Sequence, residues 1–154
     1  MKILVVTDAW HPQVNGVVRT LTHLAKEAPA LGATIEFLSP DLFWNLPLPS
    51  YPEIRLALPC GGKMTRRVAR IAPDAIHVAT EGPLGHAVRR YCLARRLPFT
   101  TSFHTRFPDY LAKRLPLPSV WTSDWTWAWL RWFHAAGTAE IGRASCRERV
   151  FRTV

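Results

Sequence analysis

Four consecutive aliphatic residues, Ile3-Leu4-Val5-Val6, constrain the fold more than any other feature of the chain. An unbroken apolar run of this length suits a strand buried on both faces, as in a parallel sheet covered by helices. The run stops at Thr7-Asp8, and a turn-rich segment, Ala9-Trp10-His11-Pro12-Gln13-Val14-Asn15, follows. Gly16 then opens a stretch in which Val17, Leu21, Leu24 and Ala28 recur at intervals of three and four. That spacing predicts a helix lying on the sheet. Strand, loop, glycine and helix start make a place where backbone N–H groups can point at an anion. A glycine there lets a diphosphate come close, because no Cβ stands in the way. The same residues also read as a plain helix start, with Asn15 as N-cap and Gly16 as a spacer. The dinucleotide fingerprint G-x-G-x-x-G is missing, since only Gly16 lies between strand and helix, which argues against a NAD or FAD site.

The rest of the chain repeats the alternation. Leu31-Gly32 supplies a helix stop, and residues 33–38 alternate as a second strand. Residues 39–59 hold five prolines and read as a long loop with one strand at Glu53 to Leu58. Gly61-Gly62 precedes a helix over residues 63–72, closed by Pro73, and residues 74–80 form the next apolar strand. A helix from Pro83 to about Arg96, a strand over residues 99–103 and an amphipathic stretch over residues 119–134 complete the order. This predicts an α/β fold, an open parallel sheet with helices on both faces. Ligands in such sheets bind beyond the carboxyl ends of the strands. Those ends carry residues 8–16, Thr80-Glu81-Gly82 and His104-Thr105-Arg106.

A chain of 154 residues with 48% apolar content is expected to be one globular domain with a sizeable core. No run is long enough for a membrane span, and the amino terminus does not read as a signal peptide. Cys60, Cys92 and Cys146 show no metal-ligand spacing and read as reduced thiols. Residues 140–154 have neither helical nor strand period and resemble the translation of a sequencing adapter joined to a shortened gene. The native domain is therefore expected over residues 1–139, incomplete, with 140–154 a non-native tail. Four of the 20 Lys+Arg and two of the 11 Asp+Glu fall in that tail, leaving a net charge of +7 from the overall +9. A basic balance favours anionic partners. Nucleic acid is not expected, because no reading motif accompanies the charge.

Three separated segments carry a resemblance. Residues 7–21 read TDAWHPQVNGVVRTL, residues 73–85 read PDAIHVATEGPLG, and residues 101–110 read TSFHTRFPDY. Together they resemble the amino-terminal half of a GT-B glycosyltransferase of family 4, the "group 1" retaining enzymes. The wording is nearest to bacterial mannosyltransferases and related enzymes that glycosylate lipids. The resemblance implies a Rossmann-like domain that binds mainly the acceptor, with the nucleotide sugar held by a second domain. It implies that Asn15, Gly16 and Val17 face the donor diphosphate. It places His104 beside the transferred sugar as the catalytic residue, able to hydrogen-bond a hydroxyl and steady developing charge. Asp8, Trp10, His11, Glu81 and Arg106 would line the acceptor side. The expected reaction moves a hexose, mannose among the candidates, from a nucleotide sugar to a lipid or glycan, retaining the anomeric sense. It needs no cofactor and no metal at the site. The family's Glu-x7-Glu motif and basic phosphate clamp belong to the second domain and are absent, so this chain alone is expected to be inactive. The alternative is a non-catalytic anion- or lipid-binding module of the same fold.

Other patterns admit two readings each. His104 at a strand end and Glu81 before a helix could serve the fold alone, Glu81 as a cap, and His77 within a strand reads as structural. Lys63, Arg66, Arg67 and Arg70 share one face of their helix, opposite Met64, Val68 and Ile71. That face is either solvated or docks on an anionic membrane, which would put the protein in the cytoplasm, peripheral at the inner face of the plasma membrane. Trp121, Trp125, Trp129 and Trp132 form a stripe expected to pack in the core in preference to a membrane interface.

Overall fold

The computed structural model describes residues 1–48, 51–59, 62–103 and 119–142. Strand β1, Lys2–Val6, leads through the turn to helix α1, Gly16–Glu27. A short 3-10 turn, Ala28–Leu31, ends at Gly32, whose φ of 71° lets the chain reverse into β2, Thr34–Leu38. The hairpin β3, Trp44–Leu48, and β4, Tyr51–Leu58, precedes α2, Lys63–Ile71, and β5, Ala75–Val78. Helix α3, Pro83–Arg95, then β6, Thr100–Phe103, α4, Ser119–His134, and β7, Ala139–Gly142, follow.

Five strands form a parallel sheet in the order β2-β1-β5-β6-β7. The chain leaves β1 toward β2 on one side and returns to β5 on the other. The crevice between the carboxyl ends of β1 and β5 is therefore the topological switch point, where such sheets bind ligands.

Side-chain alternation assigns the two layers. Leu4, Val6, Ile76 and Val78 point to one face and are covered by Met64 and Val68 of α2, Leu84, Val88 and Cys92 of α3, and Phe133 of α4. Val5 points to the other face, under Leu21 and Val17 of α1, with Trp10, Ile35 and Phe37 around them. The expected α/β architecture, a Rossmann-like parallel sheet with helices on both faces, is the one observed. His77 is held between hydroxyls, Nδ1 at 2.8 Å from Thr100 Oγ1 and Nε2 at 2.7 Å from Ser102 Oγ, a bonding pattern that fits the structural reading.

Two expectations need correction. Residues 39–59 are not one long loop, because β3 and β4 pair antiparallel from Trp44↔Leu58 to Leu48↔Tyr51. The prolines that argued for a loop, Pro47 and Pro52, sit inside a two-stranded ribbon, where each strand has an open edge and a missing N–H costs no ladder bond. The tryptophan stripe of α4 is core only in part: Trp129 is half-buried against Phe103 and Leu130, and its neighbours in the stripe are not. Trp125 and Trp132 are 73% and 54% exposed, while Thr126, Leu130, Phe133 and His134 are buried. The sheet takes the neighbouring helical face, where Leu130 packs on Phe103. Trp121's side chain lies outside the described residues. At the end of the described chain, Ala139–Gly142 is a strand paired with β6 from Thr100↔Ala139 to Phe103↔Gly142. Edge pairing uses backbone groups, so four residues can join it without any visible sequence period.

Candidate active site

The switch-point crevice is walled by the two segments that follow β1 and β5. After β1, the Thr7 hydroxyl bonds the backbone of Ala9 in both directions, at 2.9 Å to its carbonyl and 3.1 Å from its N–H. This closes a tight turn and sends Asp8 toward β5. The Asp8 N–H donates to Thr80 Oγ1 at 2.6 Å, and that hydroxyl donates back to Asp8 Oδ2 at 3.0 Å. The same carboxylate accepts from the N–H groups of Leu84 at 2.9 Å and Gly85 at 3.2 Å. Asp8 therefore supplies, from another element, the acceptor that the first turn of α3 lacks, since Gly82 has no side chain to cap it. Burial raises the Asp8 pKa above 3.8; the two amides and the Thr80 hydroxyl offset this in part, and the Glu81 charge adds to the rise.

Close approach explains two glycines. A Cβ on Gly82 would collide with the Asp8 carboxylate, and one on Gly85 with the Thr80 carbonyl oxygen. Gly16 is different. Among the described residues a Cβ there would meet nothing within 4 Å, and its φ is not positive, so neither their packing nor the local backbone conformation requires a glycine.

The loop leading to Gly16 is internally bonded. Gln13, 6% exposed, donates its N–H to the Trp10 carbonyl at 3.0 Å and its amide to the Asp8 carbonyl at 3.4 Å. Asn15 Nδ2 donates to Gln13 Oε1 at 3.0 Å, and Asn15 Oδ1 accepts from Val18 N at 3.0 Å. The N-cap read from the sequence is therefore present. The first turn of α1 carries no acidic residue, so no side chain there offsets the positive end of the helix dipole. Gly16 is exposed and Val17 half-buried at this end.

Of the acceptor-side residues, Asp8, Trp10, His11 and Glu81 are gathered at this edge. Trp10 lies on Phe37, ring centroids 4.4 Å apart, and His11 meets Trp10 edge-on at 5.4 Å. Trp10 thus helps cover α1's side of the sheet, and His11 is exposed. His104 and Arg106 lie outside the described residues; β6, whose last residue Phe103 precedes His104, ends on the same edge. Lys63, Arg66, Arg67 and Arg70 are on α2, three of them exposed and Arg67 half-buried. Lys63 Nζ stands 5.7 Å from the Phe43 ring.

Sequence reasoning missed His134. Its Nε2 lies 3.1 Å from Glu81 Oε1 and its Nδ1 2.9 Å from Thr101 Oγ1. Arg89 was missed as well: it donates to the carbonyls of Phe133 at 3.1 Å and Trp132 at 3.0 Å, with its guanidinium 3.8 Å from the Trp132 ring. It places a cation at the carboxyl end of α4 and ties that helix to α3. Among the described residues no group of three or more His, Cys, Asp or Glu is placed to hold a metal, and no helix is long and apolar enough to cross a membrane.

The model of Glycosyltransferase Family 4 matches residues 14–141. The chain belongs to this family. The match begins at the loop before Gly16 and ends within β7. Among curated proteins, this family 4 domain is 28% identical over 128 residues to alpha-monoglucosyldiacylglycerol synthase of Acholeplasma laidlawii, covering 71% of this chain and 31% of the relative. It is 25% identical over 92 residues to sulfoquinovosyl transferase SQD2 of Arabidopsis thaliana, covering 60% of this chain and 18% of the relative. The chain spans less than a third of the length of either relative.

Proposed function

We propose that this domain is the acceptor-side half of a retaining glycosyltransferase that moves a hexose from a nucleotide sugar to a lipid hydroxyl. The observation that carries the reading is the open space over Gly16 at the switch-point crevice. A glycine that no described neighbour requires, at the amino end of a helix, fits close approach by a diphosphate. In this reading Asn15, Gly16 and Val17 face the donor diphosphate, and His104 hydrogen-bonds the transferred sugar. Trp10, His11, Glu81 and Arg106 line the acceptor side. Asp8 contributes chiefly by fixing α3, and with it Glu81, against the end of β1. The new bond joins the acceptor oxygen to the anomeric carbon as the bond to the diphosphate breaks. The nucleoside diphosphate leaves, and the acceptor proton passes to it or to solvent.

The lipid acceptor is supported by the relatives, whose names describe synthesis of a glucosyldiacylglycerol and transfer of sulfoquinovose. Mannose is one hexose to test beside glucose. The basic face of α2 docks the domain on an anionic bilayer, peripheral at the cytoplasmic side. The donor-binding half lies in a second domain, so this chain alone does not turn over.

The test is transfer from UDP-glucose and GDP-mannose to dioleoylglycerol by the protein extended to the length of its relatives. Transfer with retained anomeric configuration is expected, and His104→Ala is expected to abolish most of it. Absence of both donor binding and transfer would favour a non-catalytic lipid-binding module.

A further inference from the structure

The buried chain Glu81–His134–Thr101 links the crevice to the far end of α4. His134 closes α4, and its side chain is wholly covered, while Glu81 keeps 21% of its side chain exposed at the end of β5. Thr101 is 0% exposed in β6. The imidazole is walled by the rings of Phe103 at 5.9 Å and Phe133 at 5.3 Å. A carboxylate can only accept, so the ring nitrogen facing ionised Glu81 is the protonated one. The Thr101 hydroxyl, which can donate or accept, stands 2.9 Å from Nδ1 and satisfies the other ring nitrogen. Both ring nitrogens and one Glu81 oxygen are thereby fixed by groups on three different elements. Phe133, next to His134, is itself held through its carbonyl by Arg89.

We propose that His134 is a positioning residue: it holds the Glu81 carboxylate in one orientation at the crevice, where the carboxylate accepts a hydrogen bond from the acceptor hydroxyl. The inference rests on the acceptor-side reading of Glu81 given above. A buried, hydrogen-bonded histidine behind a partly exposed carboxylate leaves that carboxylate less freedom to lose when the acceptor binds. A histidine present only for packing would not need a donor aimed at a solvent-accessible acid.

The experiment uses this chain and phosphatidylcholine vesicles containing dioleoylglycerol or its O-methyl ether, with binding read by sedimentation. Two substitutions separate orientation from packing. His134→Gln can present an amide N–H near the Nε2 position, whereas His134→Asn reaches only the Nδ1 position. Wild type is expected to prefer the free hydroxyl, His134→Gln to keep most of that preference, and His134→Asn and Glu81→Gln to lose about tenfold of it. Thermal unfolding of each variant verifies that the folded protein is being compared. If wild type prefers the hydroxyl but folded His134→Asn prefers it equally, the positioning role is overturned and the acceptor reading stands. If wild type shows no preference between the two lipids, both the positioning role and the acceptor reading of Glu81 fall.

Discussion

Gly16 is the residue at which fold and function make opposite demands. Alanine has the better helix propensity, and none of the described residues obstructs its methyl group. Gly16→Ala is therefore expected to leave thermal stability unchanged or to raise it by up to about 1 kcal/mol, while weakening donor use in the extended enzyme. Calorimetry and transfer kinetics on the same preparation check the pair. Asp8 is the converse case. Asp8→Asn puts an amide N–H among three donors, and a loss of about 1–3 kcal/mol is expected in denaturant unfolding. Cys92 gives a pH prediction. Burial pushes its thiol up to about 11 from 9.0. Between those values the unfolded chain ionises and the folded one does not, so this thiol's contribution to stability is lost as pH rises across that window. Below it the buried thiol stays neutral, and peptide mapping after iodoacetamide treatment at pH 8 should find Cys92 unmodified until the protein is denatured.

At the scale of elements, the joints around α3 decide whether the crevice keeps its shape. Its amino end sits so close to the end of β5 that Gly85→Ala must shift backbone, with an expected cost of about 1–3 kcal/mol in unfolding experiments. Its buried Arg89 holds α4 by two carbonyls. The elements themselves were largely legible in the sequence. The four-residue apolar run, the period from Gly16 and the proline before α3 each mark an element by purely local chemistry. The hairpin was not, because Pro47 and Pro52 look like strand breakers unless the open edges of a two-stranded ribbon are known. Nor was the buried face of α4, where Trp125 and Trp132 have the right spacing for a core but lie beside the face that Leu130 and Phe133 place on the sheet. His134 could not be found from sequence for a related reason. Its partners Glu81 and Thr101 are 53 and 33 residues away, and no local pattern brings them together. The basic face of α2 was legible as a face; its partner is a matter for measurement. Reversing Lys63, Arg66 and Arg70 to glutamate is expected to cut binding to anionic vesicles at least about tenfold and to leave binding to neutral vesicles unchanged.

For the whole molecule, the strand order matters more than any single side chain. Because β1 lies between β2 and β5, the turns after β1 and β5 diverge to opposite layers and leave a crevice at their carboxyl ends. The exposed helix start at Gly16, the Asp8–Thr80 pair and the Glu81–His134 pair are all on that one edge. The family 4 assignment agrees with this placement, since the matched residues run from the loop before Gly16 to the last strand. The account's central claim is that this edge is one wall of a sugar-transfer cleft. Amide chemical-shift mapping of the isotopically labelled protein, extended to the length of its relatives and titrated with UDP-glucose and GDP-mannose, tests it most directly. The account predicts shifts concentrated at residues 15–18 and 80–84; shifts confined to the amino-terminal edge of the sheet, or none at millimolar donor, would contradict it.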